Sequence, residues 1–113
     1  MQPNNNASII PVAHATYHPE GESTMALDYF ILSFTGPEGE ALYGLRVDKS
    51  SLSGTLVERE ETEAVTGSFK EITAIAEAFA AGTVPPCVLH EMVYEWFDEL
   101  ELSNIPIKIT NAS

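Results

Sequence analysis

The chain reads as an α+β protein, with three or four antiparallel strands packed against a C-terminal two-helix hairpin. Three observations predict it. Residues 66 to 101 hold two capped stretches whose apolar side chains recur at helical spacing. Between residues 25 and 60 the apolar positions instead alternate with a period of two. The breaks between those runs are short and rich in Gly, Pro and Ser, so each strand should come straight back beside the last.

Residues 1–8, MQPNNNAS, are polar and aperiodic and read as a disordered terminus. Ile9 to Tyr17 is a candidate strand with Ile10, Val12, His14 and Thr16 on one side. Pro11 cannot donate to a ladder, which demotes it to a sheet edge. After the loop His18–Thr24, Met25 to Phe34 carries the strongest strand pattern. Phe30, Leu32 and Phe34 point one way and Leu27, Tyr29 and Ile31 the other, as suits a central strand or a face closed by something else. Gly36-Pro37-Glu38-Gly39 has the composition of a tight turn. From Ala41 to Lys49, Ala41, Tyr43, Leu45 and Val47 share one face, with Leu42, Gly44, Arg46 and Asp48 opposite. A turn through Gly54 leads to a strand over Thr55–Glu60 whose Leu56 or Val57 face should join the core. The acidic run Glu58–Glu63 then leads out to solvent.

Ser68 stands three residues before Glu71 as a capping box, in which the hydroxyl accepts from a first-turn amide and the carboxylate reaches back. Phe69, Ile72, Ile75, Ala76 and Phe79 gather on one helix face, and Gly82 sits where a left-handed C-cap belongs. Pro86 suits the first turn of a second helix, whose apolar stripe is Leu89, Met92, Val93, Trp96 and Leu100. Its polar side holds Cys87, His90, Glu91, Tyr94 and Asp98. The domain should span 9–102, and the tail 103–113, with Ile105, Ile107 and Ile109 around Pro106, adds an edge strand or stays loose.

A length of 113 residues suits one domain, which can bury well over ~60% of its unfolded surface. No apolar run approaches the ~18 residues of a membrane span, and the first twenty residues lack the Lys or Arg of a secretory signal. With a single cysteine, the chain is expected to hold without disulfides in the cytoplasm. A net charge of -12 disfavours nucleic acid and anionic lipid as direct partners; its ordinary reading is solubility, and its sharper reading is a basic protein partner.

The ordered pieces Tyr43–Val47, Leu56–Glu60 and Val84-Pro85-Pro86 with Leu89, leading to Glu95-Trp96-Phe97, resemble a family of short bacterial proteins. It is a domain-of-unknown-function family found mainly in clostridial Firmicutes. The resemblance covers roughly residues 27–100 and implies a fold and a bacterial cytoplasmic setting. It implies no functional residues. The longer N-terminal segment and the isoleucine-bearing tail depart from the pattern.

No catalytic, cofactor or metal site is expected. Cys87 and His90 could pair a thiolate with an imidazole but lack a third orienting group. His14 and His18 are four apart, yet prolines exclude the helix that spacing needs, and on a strand they stand ~13 Å apart. The acids of the second helix lack the glycine-bearing loop of a calcium site. Seventeen carboxylates without a recognisable cleft name no acid–base pair. The expectation is a non-catalytic interaction or regulatory module that meets a basic protein through Glu91, Tyr94, Glu95 and Asp98. Self-association through an edge strand, Ile9–Tyr17 or 105–109, is a variant, and acidic mimicry of nucleic acid is a subset. The alternative is a small-molecule or peptide sensor binding between sheet and helices.

Overall fold

A computed structural model describes residues 8–103. Four antiparallel strands form one sheet in chain order: β1 (Ser8–Tyr17), β2 (Met25–Thr35), β3 (Ala41–Ser51) and β4 (Leu56–Glu61). Two helices follow, α1 (Phe69–Ala81) and α2 (Leu89–Ser103). The α+β class and the four-stranded count agree with the sequence reading. Of the disorder expected over 1–8, Ser8 instead opens β1, and residues 1–7 lie outside the described residues, as does the strand expected at 105–109.

β2 is central because both of its faces carry apolar side chains. Leu27, Tyr29 and Ile31 are fully buried, and with Leu45 and Val47 of β3 they form the floor of the core. Ile72, Ile75, Ala76 and Phe79 of α1 close it, joined by Leu89 and Val93 of α2. Phe69, expected on the same stripe, is 47% exposed and lies edge-to-face with Tyr43, the ring centres 5.4 Å apart.

β1 is an edge strand, but its faces differ from a simple alternation. The register shifts between Pro11 and Ala13, leaving Val12 as an extra residue. Ile10, Val12, Ala13, Ala15 and Tyr17 therefore pack toward the helices. His14 and Thr16, expected beside Ile10, pair with Asp28 and Ala26 on the opposite face.

β4 also departs from expectation. Leu56 and Val57 are both about half exposed, and neither joins the core. The acidic run does not leave the sheet, because the chain beyond Glu61 keeps bonding to β3. Thr62 N–H donates to the Leu45 carbonyl at 2.8 Å, and Tyr43 N–H donates to the Thr66 carbonyl at 2.8 Å. This path crosses β3 so closely that a Cβ on Gly44 would stand 2.6 Å from the Glu63 carbonyl oxygen. Glycine is required there for space.

The helix ends refine the capping assignments. Glu71 N–H donates to Ser68 Oγ at 3.0 Å, as the capping box expects. The Glu71 carboxylate does not return to the Ser68 amide, which Thr66 Oγ1 already satisfies at 3.1 Å. It accepts instead from Thr66 Oγ1 at 3.2 Å and from Trp96 Nε1 at 3.4 Å, tying α1 to α2. At the other end Gly82 has φ -92°, and the left-handed residue is Thr83 at φ 49°. Val84 N–H donates to Phe79 O and Thr83 N–H to Ala80 O, which is a Schellman closure with Thr83 at C′. Pro86 opens a three-residue 3-10 turn rather than α2 itself.

Candidate functional site

Pro85 is extended and Pro86 is buried, so the chain turns sharply before α2 begins. Leu89 and Val93 then anchor α2 in the core, while Met92, Trp96 and Phe97 pack partly against it. The side chain of Leu100 lies outside the described residues. With that face held, Glu91, Tyr94, Glu95 and Asp98 all stand exposed on the outer side of α2. Tyr94 is 74% exposed, although a ring of that size gains from burial.

The structure adds a groove of about 500 Å³ between α2 and the chain leaving β4. Glu63, Val65, His90, Val93, Tyr94 and Phe97 are among its lining residues. Of the four expected site residues only Tyr94 reaches it, and Glu91, Glu95 and Asp98 occupy the adjoining flank. The groove was hidden in the sequence because Val65 belongs to no periodic segment. Its one signal was Phe97, apolar yet off the expected stripe. A shallower concavity of about 700 Å³ lies along the His18–Met25 loop.

The other candidate side chains are placed apart from one another. His90 Nε2 lies 3.3 Å from Glu60 Oε1, bridging α2 to β4. Cys87 is exposed in the 3-10 turn that precedes α2. His14 Nδ1 lies 2.7 Å from Asp28 Oδ1, and His18 Nδ1 lies 2.7 Å from Thr24 Oγ1. Among the described residues no three His, Cys, Asp or Glu side chains come together as metal ligands.

A charged cluster that the sequence did not single out lies on the sheet face away from the helices. Asp48 takes two forked guanidinium contacts. Arg46 Nε and Nη2 donate at 3.1 Å each, and Arg59 Nε and Nη2 donate at 2.8 and 3.0 Å. Burial pushes the Asp48 carboxyl up, but hydrogen bonds and charge from Arg59 and Arg46 outweigh it and hold the group below the usual carboxylate range. The bond to Asp48 raises Arg59 in turn. Arg46 also lies 4.8 Å from the centre of the Phe30 ring. Its sequence signal was Arg46 and Asp48 two apart on one strand; Arg59 joins only through the β3–β4 register.

These features define a small α+β domain with an acidic outer helix and a shallow groove beside it. The chain belongs to the family of unknown function DUF6514, which matches residues 10–99. No curated protein and no solved structure matches it. Among the described residues no helix is long and apolar enough to cross a membrane.

Proposed function

We propose that this protein is a non-catalytic interaction or regulatory module of the bacterial cytoplasm that takes a basic protein partner through the outer face of α2. The observation that carries this reading is the exposure of Glu91, Tyr94, Glu95 and Asp98 together on a helix without Lys or Arg. Glu91, Glu95 and Asp98 stand four and three residues apart, and like charges at that spacing destabilise a helix by about 0.2–0.5 kcal/mol per pair. A basic surface laid on α2 would relieve that repulsion, and Tyr94 would supply the desolvated aromatic contact typical of interface centres.

A photo-crosslinking residue at position 94, with one at exposed Leu52 as control, tests the reading in native lysate. The expected result is a basic protein joined through 94 and not through 52, in a yield that falls with salt. Identical products from both positions, or a yield indifferent to salt and to Glu91→Lys with Asp98→Lys, would overturn it. The groove favours a second reading, a small-molecule or peptide sensor, because its volume falls in the range of ligand sites. A compound that raises the Tm of the wild type but not of Tyr94→Ala would support that alternative.

A further inference from the structure

The register places one face of the sheet away from both helices. Ile9, Phe30, Leu32, Phe34 and Leu42 lie on it, and none belongs to the core under α1 and α2. Leu32 is nonetheless 3% exposed, and the Thr62–Glu63 backbone lies against Gly44, its partner across the ladder, whereas Ile9 is 47% exposed. One end of this face is therefore apolar, with Ile9 open to solvent and Phe30, Phe34 and Leu42 half-buried.

The other end is charged but internally balanced. Asp28 and Asp48 stand directly opposite each other across β2 and β3, an arrangement that is repulsive when left alone. His14 approaches the first, and both arginines of the chain close on the second. Arg46 also reaches Glu61 at 3.8 Å. Two arginines meet Asp48 and Glu61 here, and His14 meets Asp28, within a chain whose formal charge is -12. Nearly all of the excess acid lies on other surfaces.

We infer that this face is where two copies of the chain meet, sheet against sheet about a twofold axis. Two molecules of charge -12 repel each other through most orientations, and a near-neutral apolar face lets them approach closely. The extent is adequate for a reversible dimer. At ~4.8 Å between strands and ~3.3 Å per residue, the outline of the face is roughly 600 Å², below the ~800 Å² per partner of a standard interface and suited to a weak, reversible contact. The pairing uses the face of the sheet rather than an edge strand, and it leaves the outer side of α2 free for the basic partner proposed above.

Sedimentation equilibrium of the full chain, across protein concentration and at low and high salt, tests the inference. The expected mass rises from 12.3 kDa toward twice that value, and association strengthens with salt as the repulsion between the acidic bodies is screened. Phe34→Lys and Ile9→Lys should each return the chain to monomer. Ile9 lies at the sheet edge and is half exposed, so its variant keeps the fold, as an unchanged circular dichroism spectrum and Tm would verify. A monomer at every concentration and salt, a dimer that weakens with salt, or a dimer unaffected by both substitutions would overturn it.

Discussion

The Tyr29 hydroxyl donates to the Val84 carbonyl oxygen at 2.7 Å, joining the middle of the central strand to the connector between the helices. Val84 is also the residue whose amide donates to the Phe79 carbonyl and closes α1, so this one residue accepts a bond from the sheet and donates one to the helix. Burial pushes the Tyr29 phenol well up from its ordinary value, and it stays a neutral donor at any ordinary pH.

Tyr29→Phe removes the donor and leaves the Val84 carbonyl buried without it. The expected loss is about 1–3 kcal/mol in urea unfolding. A loss under about 0.5 kcal/mol would mean that water replaces the hydroxyl.

Asp48→Asn keeps the shape and removes the charge on which both guanidinium forks close. The expected cost is about 1–3 kcal/mol near neutral pH, because the largely buried Arg46 loses its counter-charge while water screens the more exposed Arg59. The folded group titrates below its unfolded range, so its contribution is complete above the ordinary carboxylate pKa of about 4. It is lost as pH falls through the lower folded value. The gap between wild type and Asp48→Asn in denaturant unfolding should therefore be constant at neutral pH and narrow only in acid.

Thr83 holds φ 49° with a β-branched side chain, a conformation that glycine adopts without steric cost. Thr83→Gly should stabilise the protein by up to about 1 kcal/mol despite the greater freedom of its unfolded chain. Gly82→Ala should do no harm from backbone strain, since Gly82 is not left-handed. Thermal melts of the two variants check both outcomes.

Gly44→Ala drives a Cβ against the Glu63 carbonyl oxygen and against Thr62 Oγ1, which would lie 2.8 Å away. Backbone cannot swing aside as a long side chain can. A loss of about 1–3 kcal/mol is expected, together with faster amide exchange at Leu45 and Thr62, whose bonds cross at this point.

The sheet was legible from the sequence because β2 and β3 keep an unbroken period of two, so Leu27, Tyr29, Ile31, Leu45 and Val47 could be assigned to one face by counting. β1 resisted the same count at Val12, where an extra residue inverts the alternation without any change in composition. Gly82 drew the C-cap assignment through its conformational freedom, while the closure itself, set by Phe79 and Val84, fell one residue later. On α2 the exposed acids followed from the apolar stripe. The groove and the Asp48 cluster did not, since each is assembled from segments far apart in the chain and depends on register.

The extra residue at Val12 also bears on how the protein behaves when concentrated. Without it, Pro11 and Ala13 would follow one another in a regular ladder against Phe30 and Tyr29, with both still facing as they do now. The fold does not need the bulge for its register. What it supplies, with Pro11, is a crooked outer border that a foreign strand cannot follow. A chain lacking Val12 should fold with one fewer side chain against the core and then turn into fibres on storage, which makes this one residue a guard against amyloid as well as a part of the packing.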